Sequence, residues 1–171
     1  MYEILDVGCG EKPTGDVNVD LLEYAEKKYK ITNVKKIKNF VNCDAHNLPF
    51  RDNSISTIRL HHVIEHLENP LQALREVQRV AKKGCIIHVP NYPLEKETKY
   101  HLYSWNKWTL KNLLERAGFQ KVTIYEGTET QVYGKRLTLI RKHKLLTPFL
   151  VWYTSYIKKN LKDEIQAICE K

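Results

Sequence analysis

Cysteine is scarce in this chain of 171 residues, and its four cysteines, Cys9, Cys43, Cys85 and Cys169, lie far apart. They form no C-x-x-C pair, so we expect neither a zinc knuckle nor a disulfide framework. We also find no signal peptide at the start of the sequence. Together these absences predict a protein of the reducing cytoplasm.

The sequence also lacks internal repeats, low-complexity linkers and any apolar run long enough to span a bilayer. Neither a repeat architecture nor a membrane-spanning helix is therefore expected. With 42% hydrophobic residues, a chain of this length can bury the core of one globular domain.

Acidic residues are outnumbered: 28 Lys and Arg against 20 Asp and Glu give a net charge of +8, with much of the excess in the last third. This balance favours an anionic partner, such as RNA or a phosphorylated or lipid-linked acceptor. The alternative is a solvated, lysine-rich surface without a specific partner.

Short apolar runs alternate with amphipathic ones, which is typical of an α/β domain with a parallel sheet. The first strand candidate begins almost at Met1, which predicts no N-terminal lid. Three of the candidates end on an acid, at Asp6, Asp20 and Asp44. The five strand candidates are residues 2–7, 17–20, 39–44, 55–60 and 85–90.

Two helices are predicted between and after these strands. In residues 69–84, apolar side chains recur every three positions, Asn69 can cap the start, and Gly84 suits the position after the end. A second helix is predicted over Lys107 to Ala117, with Gly118 at its end.

The last strands and the tail complete the predicted layout. Residues 121–127 and 136–142 alternate as strands joined by a hairpin connection, which predicts an antiparallel last strand. We predict a domain over 1–142 and a C-terminal helical extension over 143–171, beginning at Thr147 and Pro148. This helix could pack on the domain or on a homodimer partner, cover a ligand-binding cavity at the sheet edge, or associate peripherally with a membrane.

Four stretches between residue 2 and about residue 120 form a series of motifs: "ILDVGCG", "VNVDLLE", "FVNCDAHNLPFRDNSIS" and "HHVIEHLENPLQALREVQRVAKKGCIIHVPN". In order and spacing they resemble the motifs of the class I S-adenosylmethionine-dependent methyltransferases, and in particular those of the small, single-domain methyltransferases of type 11. It implies a three-layer, Rossmann-like sandwich with a mostly parallel seven-stranded sheet and an antiparallel last strand. The implied cofactor is S-adenosylmethionine, and the implied activity is methyl transfer to an oxygen or nitrogen of an unidentified acceptor.

The same resemblance implies the cofactor site. The loop Gly8–Gly10 would pass under the methionine part, Asp20 would hold the ribose, and Asp44 with Ala45 would bracket the adenine. The full implied set is Asp6, Gly8, Cys9, Gly10, Asp20, Leu21, Asp44, Ala45 and His61. In open α/β sheets ligands bind at the carboxyl ends of the strands, where these residues are predicted to meet.

The sequence departs from the family pattern at the first loop. Lys12 stands where a third glycine is common, and only 13 residues separate Asp6 from Asp20, so the usual helix there is expected to be short or absent. A non-catalytic cofactor-binding or interaction module on the same fold is therefore an alternative function.

The run "HHVIEHL" carries the candidate catalytic residues. His62, Glu65 and His66 spell H-x-x-E-H, the inverted zinc-protease signature, but a metalloprotease is disfavoured because the motif follows a strand of a nucleotide-binding type of sheet. A hydroxyl acceptor benefits from a base, and a histidine of near-neutral pKa suits that role. The catalytic candidates are His62, His101 and Glu65.

A divalent metal is a second possibility for this region. Small-RNA ribose methyltransferases and ubiquinone-pathway O-methyltransferases look similar here, which would make His62, Glu65, His66 and His101 potential ligands. Histidine in place of an acid would favour zinc or another borderline metal. The alternative, which we favour, is that Glu65 and His66 serve packing and hydrogen bonding only.

Overall fold

The structure, a computed structural model, describes residues 2–23, 37–91, 100–126 and 164–171. Among these residues there are seven strands and two helices with complete bounds. The strands are β1 Ile4–Val7, β2 Val17–Asp20, β3 Phe40–Asn42, β4 Ile55–His61, β5 Ala81–Pro90, β6 Lys121–Glu126 and β7 Glu164–Glu170. The helices are α1 Pro70–Val80 and α2 Lys107–Ala117.

All seven strands join one sheet in the order β3-β2-β1-β4-β5-β7-β6. Strands β1 to β5 are parallel to one another, whereas β7 runs antiparallel to both β5 and β6. The predicted fold class, a mostly parallel seven-stranded sheet with an antiparallel last strand, is confirmed.

The last strand is not where the sequence pattern placed it. The antiparallel strand is Glu164–Glu170, inside the segment predicted as a helical extension, so the helix prediction is wrong for these residues. Ile165 and Ile168 are spaced as on a helix. A strand that is buried on both faces of a sheet is also apolar on both faces, so a short apolar run does not distinguish such a strand from a helix. The predicted strand 136–142, the start of the tail helix and the boundary after residue 142 lie outside the described residues.

Helix α1 begins as predicted and ends earlier. The side chain of Asn69 accepts a hydrogen bond from the amide of Gln72 (3.1 Å), and β5 follows directly at Ala81. Gly84 therefore does not end a helix, as predicted, but lies within β5 at φ 152°. A β-carbon at this position would overlap the carbonyl oxygen of Cys169 on β7, so the glycine permits close approach of the two strands.

Helix α2 agrees with its prediction over its whole length. The Asn106 side chain accepts from the amides of Trp108 and Thr109, and Gly118 ends the helix in the left-handed conformation at φ 105°. The helix buries Leu110 and Leu114 and packs on α1, β6 and β7. These contacts fix the layer that lies on one side of the sheet.

No helix connects β1 to β2, as the short spacing predicted. The connection is instead held by the Asp16 carboxylate, which accepts from the amides of Glu3 and Ile4 at 3.0 Å each. Within the described ranges, no helix is long and apolar enough to cross a membrane.

Candidate functional site

A cavity of about 650 Å³ opens at the carboxyl ends of the parallel strands, where ligands of such sheets bind. It is bordered by the ends of β1 and β2, the segment after β3, the loop after β4 and the start of α1. Its lining residues are Val7, Gly8, Val19, Asp20, Leu21, Cys43, Asp44, Ala45, His46, His62, Val63, His66, Leu67, Glu68, Asn69, Gln72 and Leu102.

The loop after β1 turns sharply at two glycines, Gly8 at φ 68° and Gly10 at φ 52°. Both values lie in the left-handed region that glycine adopts at little cost. The amides of Gly8 and Cys9 donate to the Val19 carbonyl at 2.8 and 3.1 Å, which ties the loop to β2. A β-carbon on Gly8 would lie 2.5 Å from Val63 Cγ2, so only glycine fits between β1 and the loop after β4.

Asp20 ends β2 and organises the same loop. Its Oδ2 accepts from the Gly10 amide at 2.8 Å, and its Oδ1 accepts from the amide of Leu21, also at 2.8 Å. Leu21 lies on the cavity wall with 45% of its surface exposed. The carboxylate is thus placed at the cavity and held there by backbone donors.

Four of the predicted cofactor residues, Asp6, Cys9, Gly10 and His61, are not among the lining residues. The Asp6 carboxylate accepts from the amide and hydroxyl of Thr14 at 2.9 Å each, and burial raises its pKa against the opposing effect of Arg59, 3.7 Å away. Arg59 also donates to the Thr14 hydroxyl. Burial raises the pKa of Cys9 to about 12, so this thiol stays neutral.

Asp44 and Ala45 border the cavity after β3, as predicted. Partial burial would raise the pKa of Asp44, but hydrogen bonds from the backbone and ring of His46 lower it. The Asp44 Oδ1 lies 2.6 Å from His46 Nδ1. His46 is not among the residues selected from the sequence, although its position two residues after Asp44 was the available signal.

The adjacent histidines His61 and His62 have opposite environments. Burial, with help from the charges of His62 and Arg59, lowers the pKa of His61 to about 3. Burial would also lower the pKa of His62, but hydrogen bonds to Glu164 and Glu65 raise it to about 9. His62 therefore lacks the near-neutral pKa that suits a base, because two carboxylates hold its proton.

Glu65 and His101, the other catalytic candidates, are not among the lining residues. Glu65 is completely buried, and its Oε1 lies 3.2 Å from His62 Nδ1. His101 packs its ring edge-on against His66 at 4.7 Å between centroids. His66 itself borders the cavity, and its Nδ1 donates to the carbonyl of Tyr100 (2.9 Å).

The four potential metal ligands do not form one group. In the described part of the chain, Glu65, His66 and His101 offer ligand atoms within 4.8 Å of one another, whereas His62 belongs to a second group with His61 and Glu164. Either group could hold a metal ion. The two histidines of H-x-x-E-H thus lie in different groups, which is not the arrangement of a zinc protease.

Glu164 is the residue of this region that sequence analysis missed. Its Oε1 lies 2.8 Å from His62 Nε2, although 102 residues separate the two in the chain. No local pattern could place it, because its position follows from the insertion of β7 between β5 and β6.

The residues at the cavity fit S-adenosylmethionine. Gly8 leaves a space that a β-carbon would fill, and Asp20 presents a carboxylate of the kind that accepts ribose hydroxyls in nucleotide-binding sheets. The rest of the described lining combines apolar side chains with the acids Asp44 and Glu68 and contains no Lys or Arg, which suits a ligand that carries a sulfonium and an ammonium group.

The chain is similar to known methyltransferases. Residues 5–89 match the family model described as "Methyltransferase domain". The chain is 34% identical over 101 residues to an uncharacterized methyltransferase of Schizosaccharomyces pombe, covering 47% of this chain and 36% of that protein. It is 30% identical over 157 residues to the demethylmenaquinone methyltransferase of Staphylococcus haemolyticus, covering 71% of this chain and 64% of that protein.

The fold has solved counterparts as well. A S-adenosylmethionine-dependent methyltransferase of Thermotoga maritima, described as a possible histamine N-methyltransferase, superposes with a TM-score of 0.65 at 16% identity. The match covers 100% of this chain and 83% of that one. The chain spans less than two thirds of the length of the curated relatives cited above. The matched motifs, the strand order and these relatives show that the chain belongs to the class I S-adenosylmethionine-dependent methyltransferases.

Proposed function

We propose that this domain transfers a methyl group from S-adenosylmethionine to an acceptor that binds beside His62 and His66. The single observation that carries the proposal is the continuous cavity that joins Asp20 and Gly8, on the cofactor side, to these two histidines. When bound, the cofactor supplies an electrophilic methyl group on a sulfonium. The protein then has to align the acceptor with that methyl group and exclude water.

The acceptor we infer is a neutral aromatic ring that carries a hydroxyl group, as in a reduced quinone. The name of the Staphylococcus haemolyticus relative supports this choice. Apolar side chains of Val63, Leu67 and Leu102 border the acceptor side. The net charge of +8 suggested an anionic acceptor, but the described lining contains Asp20, Asp44 and Glu68 and neither Lys nor Arg.

We propose that the methyl group goes to a ring carbon, and not to the oxygen or nitrogen that the sequence predicted. His66 is the residue we propose as the base that takes the hydroxyl proton, which makes the neighbouring ring carbon nucleophilic; that carbon gives up its own proton to solvent once it carries the methyl group. Its Nδ1 donates to the Tyr100 carbonyl, which selects the tautomer whose Nε2 carries the lone pair. His62 is unsuited to this role because both of its nitrogens face carboxylates. Of the three predicted catalytic residues, His62 remains as part of the cavity wall, and Glu65 and His101 act through His62 and His66.

Transfer of a radioactive methyl group tests the proposal. We expect the protein to label a reduced 1,4-naphthoquinone that lacks the ring methyl, and to leave RNA and nucleoside phosphates unlabelled. His66→Gln should lower kcat by about 100-fold, the usual size of a lost general base. Lys111→Gln, which removes only an exposed ion pair with Glu115 (3.7 Å), is the matched control. Labelling of RNA but not of the quinol would contradict the acceptor class.

A further inference from the structure

His62 is fixed at the cavity wall by contacts on every side. Its backbone lies in the left-handed region at φ 54°, which is uncommon for a residue with a side chain. Its amide donates to the His88 carbonyl at 3.0 Å, so the residue that follows β4 is held against β5. Only the ring then remains to be oriented.

Two carboxylates orient that ring. Glu65 Oε1 lies 3.2 Å from Nδ1, and Glu164 Oε1 lies 2.8 Å from Nε2. The side chain of Glu65 is fully buried, that of Glu164 is 12% exposed, and that of His62 is 32% exposed. Charge-assisted hydrogen bonds in such surroundings are short and strong, and removing one partner leaves the other buried charge uncompensated.

The two carboxylates depend on His62 in return. The second oxygen of each, Oε2 of Glu65 and Oε2 of Glu164, is buried and meets no hydrogen-bond donor among the residues that the structure describes. Buried carboxylates normally have several donors. His62 is thus the main compensation for both charges, and the three side chains form one unit.

The position of Glu164 is set by the sheet and not by the loop that carries His62. Glu164 opens β7 opposite Pro90, the last residue of β5, so it stands at the cavity edge of the sheet. Strand register fixes its backbone, whereas Glu65 belongs to the same turn as His62 and moves with it. Glu164 therefore holds the His62 ring from a strand outside the loop that carries His62.

We propose that Glu164 is a positioning residue for methyl transfer, which acts by holding the His62 ring in place against the bound acceptor. This inference rests on the proposed function of the same cavity. Alignment of nucleophile and methyl group is the main contribution of the protein to such a displacement. Glu164 Oε1 faces the ring of His62, whereas Asp20 is held by the Gly10 and Leu21 amides, so the effect of Glu164 belongs to the acceptor side.

Kinetics with the naphthoquinol and calorimetry with S-adenosylhomocysteine test the proposal together. Glu164→Ala should lower kcat by about tenfold or more and change the Kd of S-adenosylhomocysteine less than about twofold. Glu164→Gln keeps an oxygen that can accept from Nε2 and should restore part of kcat. Glu170→Ala is the matched control, because Glu170 lies at the opposite end of the same strand and its carboxylate pairs with the exposed Lys121 at 2.8 Å.

A second measurement does not depend on the acceptor. In protein labelled with ¹⁵N-histidine, the Nε2 proton of His62 should give a slowly exchanging signal that Glu164→Ala abolishes and Glu170→Ala preserves. Unchanged signals, or a kcat within twofold of the unsubstituted protein, would overturn the inference. Failure of the proposed function would look different, because the unsubstituted protein would then transfer no methyl group to the naphthoquinol, whereas the His62 signal would still depend on Glu164.

Discussion

At the scale of residues, the pair His61 and His62 makes the stability of the protein depend on pH in two directions. The pKa of His62 is raised from 6.5 to about 9. The stabilisation that His62 adds to the free energy of unfolding is therefore complete below pH 6.5 and is lost as the pH rises towards 9. The pKa of His61 is lowered to about 3, so its contribution is present above pH 6.5 and is lost as the pH falls.

Glu164→Gln should flatten the alkaline side of this dependence. The unsubstituted protein is expected to lose on the order of 2 kcal/mol of unfolding free energy between roughly pH 6 and pH 8.5, allowing for partial screening by solvent. The variant should lose clearly less, because His62 then titrates nearer its ordinary pKa. Urea unfolding at several pH values measures the difference, with Glu170→Gln as the control. Parallel curves for all three proteins would contradict the assigned pKa of His62.

Gly8→Ala is expected to weaken cofactor binding. The added β-carbon would lie 2.5 Å from Val63 Cγ2 at a φ of 68°, so the loop or the turn after β4 must move. We expect the Kd of S-adenosylhomocysteine to rise by at least about tenfold, the effect of about 1.4 kcal/mol. Gly15→Ala would not be a fair comparison, because its β-carbon would overlap backbone atoms; Thr123→Ala on the distant β6 serves instead.

The cofactor side of the cavity follows from the sequence more directly than the acceptor side. Gly8, Asp20 and Asp44 belong to contiguous motifs at strand ends, and strand ends meet at one sheet edge. His62 was found in the same way, but its protonation depends on Glu164, whose position is set by long-range strand pairing. Glu65 was identified without the knowledge that it is buried and lies 3.2 Å from the His62 ring.

At the scale of elements, β7 is the decisive difference between expectation and structure. Helix α2 could be predicted because its cap, its apolar face and its terminal glycine lie within one stretch. Strand β7 could not be predicted, because its local periodicity does not indicate that it pairs with β5 and β6. Its buried residues Ile165, Ala167 and Cys169 belong to the hydrophobic core.

Gly84→Ala tests this placement of β7. The β-carbon would overlap the Cys169 carbonyl oxygen, and φ 152° adds strain, so β5 and β7 would have to separate. We expect a loss of more than about 2 kcal/mol of unfolding free energy, typical of a residue forced into an incompatible backbone position. Gly118→Ala has open space around it, with the nearest atom at 3.6 Å, and should cost less despite its positive φ. Equal losses in the two variants would argue against close packing of β7 on β5.

At the scale of the whole molecule, the positive net charge of the chain contrasts with the acidic residues that line the described cavity. The chain carries a net charge of +8, yet the described cavity lining holds three acids, Asp20, Asp44 and Glu68, and no Lys or Arg. Net charge therefore describes the surface and its nonspecific partners. In the proposed function, the few groups at the sheet edge select the acceptor and the cofactor.

Calorimetric titration with S-adenosylhomocysteine tests the central claim most directly. We predict one binding site per chain in the unsubstituted protein and a Kd raised at least about tenfold in Asp20→Ala, since this change removes the acceptor for the Gly10 and Leu21 amides. Asp52→Ala, which removes only the exposed partner of Arg79, should bind as the unsubstituted protein does. Binding without methyl transfer to any acceptor would identify a non-catalytic module on this fold. Absence of binding at millimolar ligand, or equal affinity in Asp20→Ala, would contradict the account.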